Sequence, residues 1–378
     1  MTAAFIDPIS GETFPLDQPR WCAPNGRPLL ITPLPGITRA DIDQTTRSLW
    51  RYRHAFPITT SAPITLGEGC TPLLSRHVHG VNVQVKCEWM MPSGSFKDRG
   101  ASVMLSFLRD QGIHRVLEDS SGNGGSAIAT YAATGGMEAL ILAPDSTSPA
   151  KTIQMQAMGA LVERVPGSRQ DTADAALRRA EQIFYASHNW HPFFLQGTKT
   201  LAYELWEDLG FTAPDNIIVP CGAGSNVLGC GIGFAELLRA GEIAALPRIF
   251  AAQPEHCAPI AAAFFAGNEA AAEHIAIRPT IAEGTAIAKP VRLHEVIGVL
   301  RETNGGAVTL TEAEIAASTL TLAHMGLYVE PTCAQVAGAL GKLLQSGAIS
   351  ANQTTVLVLT GTALKATPII ASLLGVAI

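Results

Sequence analysis

The chain has 378 residues, 47% of them hydrophobic and 15% charged, with a formal charge of -6. That is enough chain for two domains with a sizeable core, and it excludes a disordered protein. A nucleic-acid binder, which needs clustered Lys and Arg, is excluded as well. The seven cysteines are odd in number and lack zinc-ribbon or redox spacing, so reduced buried thiols in a cytoplasmic protein are expected. The start has no basic segment followed by an apolar run, so no secretory signal is expected. The apolar C-terminus is broken by Lys365 and Pro368 and reads as a buried strand and a packing helix, not a membrane span.

In chain order, residues up to about Pro72 form an irregular arm with one helix over Ala40 to Phe56. Val81 to Glu88 alternates apolar and polar residues, the pattern of a strand. It feeds Pro92-Ser93-Gly94-Ser95-Phe96-Lys97-Asp98-Arg99-Gly100, a Gly/Ser turn that opens a helix with Lys97 at its mouth. Taken alone, a lysine followed by Asp98-Arg99 is an ordinary exposed ion-pairing residue. Strands at His114 to Glu118, Glu138 to Ala143 and Leu161 to Val165 then alternate with helices at Ser126 to Gly135, Pro149 to Gly159 and Gln170 to Ala186. A second such series has strands at Asn216 to Pro220, Arg248 to Gln253 and Thr354 to Leu359. Its helices fall at Gly197 to Leu209, Val227 to Ala240, within Thr285 to Asn304, at Glu312 to Met325 and at Thr332 to Ser346. The fold class is therefore α/β with two domains in three layers and parallel-rich twisted sheets. Residues 1–88 are assigned to the arm and part of a large domain, 89–188 to a small domain, and 189–378 to the large one.

Two further loops bear on chemistry. Gly222-Ala223-Gly224-Ser225-Asn226 follows an apolar strand and opens a helix, where free amides and the macrodipole favour a phosphate. A dinucleotide fingerprint would want an acid at the end of the next strand, and that strand ends in Gln253-Pro254. A plain glycine-rich turn is the other reading. Ser120-Ser121-Gly122-Asn123-Gly124-Gly125 is a second anion-receptive loop, unless Asn123 merely caps its helix. A phosphate cradle, a carboxylate cradle and one lysine are what an aldehyde cofactor acting on an amino acid requires.

The segments PSGSFKDRG, SSGNGGSAIATYAA, PCGAGSN and LTGTALK, in this order, resemble the fold-type-II pyridoxal-phosphate enzymes, and threonine synthase most. The similarity also covers LWRYRHAFPI, LGEGCTPLL, AAQPEHCAPI, TIAEGTAIAKPVR and YVEPTCAQ. It implies pyridoxal 5'-phosphate held as a Schiff base on Lys97, which then moves the substrate's α-proton. It implies Asn123 at the cofactor's 3'-oxygen, Gly222, Ala223, Gly224, Ser225 and Asn226 around its phosphate, and Thr360 at its pyridine nitrogen. Ser121, Gly122, Asn123 and Gly124 would meet the substrate, with Phe194. A homodimer, a small amino-acid substrate and no metal are implied too.

Three features depart from the threonine-synthase pattern, one being the single cysteine of Trp21-Cys22-Ala23-Pro24-Asn25-Gly26, where many relatives have Cys-x-x-Cys-Gly. Gly124 stands where a threonine usually follows the loop asparagine, and Phe194 where an arginine usually grips the substrate phosphate. Losing a bidentate arginine leaves a dianion poorly compensated. The first reading is a threonine-synthase-like lyase that converts O-phosphohomoserine to threonine and phosphate. The alternative is β-elimination or β-replacement on serine-, threonine- or diaminopropionate-type substrates, an ammonia-lyase activity in the elimination case. A cofactor-free binding or nucleotide-dependent protein that reuses the loops is a third. Lys199 and Lys151 are further candidate cations, while His188, His191 and His256 lack metal-ligand spacing and are expected to be ordinary polar packing.

Overall fold

The computed structural model describes residues 3–147 and 149–377, leaving aside the side chains of 149–151. The chain divides into two compact units, Met1–Cys70 with Met91–Thr200, and Thr71–Met90 with Leu201–Ile378. The first seventy residues thus belong with the unit that carries Lys97, and the first unit runs on to residue 200.

The first unit is built on a four-stranded parallel sheet in the order Leu161–Val165, Glu138–Pro144, Arg115–Glu118, Phe184–Tyr185. The helices Asn123–Thr134 and Arg169–Arg179 pack on it, and Lys97–Asp110 packs against Asn123–Thr134. The expected helix from Gln170 to Ala186 stops at Arg179, because Phe184 and Tyr185 pair with Val116 and Leu117. The Tyr185 hydroxyl then donates to Asp119 Oδ1 at 2.8 Å, an anchor that helical propensity does not register.

The arm also departs from expectation. In place of one helix over Ala40 to Phe56 there are two short 3-10 turns, Arg39–Asp41 and Leu49–Ala55. The Asp43 carboxylate accepts the Thr45 N–H at 2.9 Å and the hydroxyls of Thr45 and Thr46. Such side-chain bonds compete with the helical ladder and break it. The arm is tied to the lysine helix by Trp50 Nε1, which donates to Ser102 Oγ at 2.9 Å. Glu68 completes the tie, accepting from Ser102 Oγ at 2.6 Å and from the Tyr131 hydroxyl at 2.9 Å.

The second unit holds a six-stranded sheet ordered Gly306–Leu310, Arg248–Pro254, Asn216–Pro220, Thr355–Val358, Val81–Lys86, Leu73–Val78. All neighbours are parallel except the last pair. That pair is a hairpin closed by His79 (φ 50°) and Gly80 (φ 80°), the two left-handed residues that a tight primed turn needs. Parallel strands buried on both faces read as apolar runs, and Asn216–Pro220 is buried along its length.

Lys86 is fully buried in this unit, its Nζ donating to Glu204 Oε1 at 2.6 Å, Asp208 Oδ2 at 2.6 Å and the Thr71 carbonyl at 2.7 Å. Removing one partner from a buried charge cluster strands the others without compensation. Lys86→Met is therefore expected to lower stability by about 3–5 kcal/mol in urea unfolding, with a smaller loss when Glu204→Gln is added to it.

Candidate active site

In the first unit, Lys97 is the first residue of its helix, and the turn before it is shaped by its neighbour Asp98. The Asp98 carboxylate accepts the Ser93 backbone N–H at 2.7 Å and also the Ser93 hydroxyl, while Gly94 takes φ +87°. Arg99 donates to the Thr200 hydroxyl at 3.1 Å. Asp98 and Arg99 are both fully buried, so the exposed ion-pairing reading of Lys-Asp-Arg does not hold. The Lys97 ammonium lies 4.7 Å from the centroid of the Phe96 ring and 5.6 Å from that of Phe194, within cation–π range of both.

Phe194 sits on the helix Pro192–Thr198, which crosses the lysine helix at very short range. A Cβ on Gly100 would stand 2.5 Å from the Phe194 ring, and one on Gly197 would stand 2.0 Å from the Arg99 carbonyl oxygen. Only glycine fits at either point. Lys199 does not reach the chemistry: its buried Nζ donates to the Ala55 carbonyl at 2.7 Å, fastening the arm. The side chain of Lys151 lies outside the described residues.

The 120–125 loop shares this unit. Asn123 opens the helix, with Gly122 in the cap position, so Asn123 is not the helix cap. Ser120 Oγ accepts the Gly122 N–H at 3.3 Å, and Ser121 is half-buried. Gly124 now has a physical explanation. A Cβ there would lie 2.7 Å from Cε1 and Nδ1 of His188, so the imidazole fills the space that a side chain at 124 would take.

His188 is a residue that sequence spacing gave no reason to single out. Its Nδ1 lies 3.0 and 3.1 Å from the two carboxylate oxygens of Glu118, and its ring meets that of Phe194 edge-on at 5.7 Å. Glu118 also accepts the backbone N–H groups of His188 and Asp119, each at 3.0 Å. Asp119 in turn accepts from Tyr185 and pairs with Arg169 at 2.8 Å. Burial holds the His188 imidazole well below its ordinary range, and the positive charge of Lys97 pushes the same way. Burial pushes Glu118 upward, opposed by its two backbone donors.

The second unit supplies the other loop. Gly224 precedes the helix Ser225–Arg239 with φ +92°, a left-handed conformation, and a Cβ there would lie 2.2 Å from Val296 Cγ2. A Cβ on Gly222 would meet the Gly284 carbonyl and the Thr285 Cα at 3.1 Å. Asn226 is buried, and neither atom of its amide has a hydrogen-bond partner among the described residues. A helix N-terminus reached through close-packed glycines and a buried side-chain amide without a partner are the features of an anion seat. Thr360, just past the strand Thr355–Val358, is buried in the same unit. Gln253 donates to the Cys221 carbonyl at 3.0 Å and accepts the Ala261 N–H at 2.9 Å. It braces the loop where a ribose-binding acid would have to stand.

The sequence profile of the family described as "Pyridoxal-phosphate dependent enzyme" matches residues 64–361. The chain belongs to that family. It is 32% identical over 332 residues to the threonine synthase of Methanosarcina acetivorans, covering 84% of this chain and 80% of that one. It is 32% identical over 349 residues to the threonine synthase of Synechocystis, covering 88% of each. Among solved structures it resembles maize serine racemase (TM-score 0.66, 23% identity, 81% of this chain and 92% of that one). A fungal L-serine ammonia-lyase from Rhizomucor miehei is similar at TM-score 0.67 and 21% identity, over 78% of this chain and 94% of that one. These likenesses establish the α/β fold of the pyridoxal-phosphate dependent enzymes for this chain.

Each unit, taken by itself, holds residues that fit the family's cofactor: the first a lysine at a helix mouth, the second an anion seat with the Asn226 amide unpartnered among the described residues. When bound, pyridoxal phosphate supplies an electron sink for a carbanion at the substrate's α-carbon. Among the described residues no group of His, Cys, Asp and Glu could hold a metal ion. All seven cysteines are free thiols, and burial pushes that of Cys333 up to about 12. No helix of the described residues is long and apolar enough to cross a membrane.

The contact of Gly124 with His188 makes a direct forecast. Gly124→Thr should cost about 1–3 kcal/mol through overpacking. Adding His188→Ala should recover part of that loss, giving a coupling energy beyond additivity in a thermal-unfolding cycle.

Proposed function

We propose that the protein is a threonine-synthase-like lyase that converts O-phosphohomoserine and water to threonine and phosphate. The observation that carries this reading is the 32% identity to threonine synthases over more than four-fifths of the chain. Lys97 is the cofactor-bearing amine and the base that takes the substrate's α-proton. Asn123 donates to the cofactor's ring oxygen. Gly222, Ala223, Gly224, Ser225 and Asn226 seat its phosphate, and Thr360 faces its ring nitrogen with a neutral hydroxyl. Ser121, Gly122, Asn123 and Gly124 receive the substrate's carboxylate, with Phe194 beside the amine. We assign the protein to the cytoplasm, as a homodimer.

One observation favours a second reading, β-elimination or β-replacement on serine-, threonine- or diaminopropionate-type substrates. Phe194 is fully buried within 5.6 Å of the Lys97 ammonium, where an arginine would otherwise compensate a substrate phosphate. The two readings separate in one assay on the cofactor-loaded enzyme. The leading reading expects phosphate release from O-phosphohomoserine, with threonine formed, at a kcat/KM at least about 100-fold above that for oxo-acid formation from serine, threonine or diaminopropionate. The reverse order supports the second reading and refutes the first.

A further inference from the structure

Glu118 and His188 form a buried pair that the assignments above leave without a task. Glu118 lies at the end of the strand Arg115–Glu118 and His188 just after the strand Phe184–Tyr185, so two neighbouring strands of one sheet bring them together. Two backbone N–H groups donate to the Glu118 oxygens, the arrangement of a carboxylate, and the ring nitrogen facing them is Nδ1. A carboxylate on Nδ1 fixes the tautomer with the proton there and leaves the lone pair on Nε2. Nε2 has no hydrogen bond among the described residues.

The imidazole lies against Gly124, in the loop assigned to the substrate, through Cε1 and Nδ1, and its ring and the Lys97 ammonium both lie against the Phe194 ring, at 5.7 and 5.6 Å. The charged and titratable groups around the imidazole are Glu118, Asp119, Arg169 and Lys97, with Tyr185 bonded to Asp119. Burial and the nearby lysine and arginine hold the imidazole well below its ordinary range, opposed by Asp119, so Nε2 is presented as an acceptor and not as a donor.

We propose that His188, held by Glu118, is the general base that activates the water added at the substrate's β-carbon. This rests on the threonine-synthase reading, with Lys97 handling the α-proton and His188 the water. An O–H bond of water breaks, its proton goes to Nε2, and the oxygen lone pair forms the new C–O bond at the β-carbon. The electron pair displaced from the β-carbon ends as a C–H bond at the α-carbon, with the proton delivered by Lys97. The imidazolium then returns its proton to solvent.

The test uses the cofactor-loaded wild type and its His188→Gln variant with O-phosphohomoserine in deuterium oxide. The variant should keep deuterium exchange at the α-carbon and phosphate release within about threefold of wild type. Its product should shift from threonine to 2-oxobutyrate and ammonia, cutting the threonine-to-oxo-acid ratio by at least about 100-fold. An unchanged ratio overturns the proposal, and so does an equal loss of exchange and of threonine, the mark of a merely structural residue. Should the variant fail to fold, ¹⁵N NMR of the wild-type histidines decides. An unprotonated Nε2 at neutral pH is expected for His188, and a protonated one refutes the base. A wild type that releases no phosphate refutes the underlying reading instead, and is seen before any variant is compared.

Discussion

Lys97 has to be presented on a rigid support, because a flexible lysine on a solvated turn is a surface cation and nothing more. The support is backbone contact between the lysine helix and the helix Pro192–Thr198, close enough that Gly100 and Gly197 tolerate no Cβ. Around it, Asp98 fixes the turn through Ser93, and Glu68 joins Ser102 to Tyr131. Phe194 is therefore both a packing element and a wall beside the amine. Any change at 194 alters the surroundings of the amine and the helix contact together.

The second unit meets a different requirement. An anion seat needs amides with no competing acceptor and no side chain in the way, which a parallel strand leading into a helix through glycines provides. Gly224 combines both demands, since its left-handed φ and its proximity to Val296 each exclude a Cβ. Gln253, deeply buried, bonds Cys221 and Ala261 and so fixes the loop from the neighbouring strand. The same glutamine excludes the ribose-binding acid that a dinucleotide site would need.

Much of this was legible in the sequence, because glycine and serine clusters at strand-to-helix junctions mark backbone conformations that few other residues adopt. Lys97, the 120–125 loop and the 222–226 loop are of that kind. The His188–Glu118 pair was not legible: the two residues are 70 positions apart and meet only because Phe184–Tyr185 pairs with Arg115–Glu118. The short strand at 184–185 was hidden inside a helical pattern for the same reason. Asp43 broke the arm helix through side-chain bonds that periodicity does not report. Gly124 was visible as a departure but not as a consequence, since its cause is an imidazole from a distant segment.

Which amine carries the aldehyde is the claim on which all the assigned chemistry stands. Borohydride reduction of the protein loaded with pyridoxal phosphate, followed by peptide mapping, addresses it directly. The account predicts loss of the yellow absorbance and a single pyridoxyl label on Lys97. A label on another lysine, or a protein that stays colourless with added pyridoxal phosphate, would contradict it.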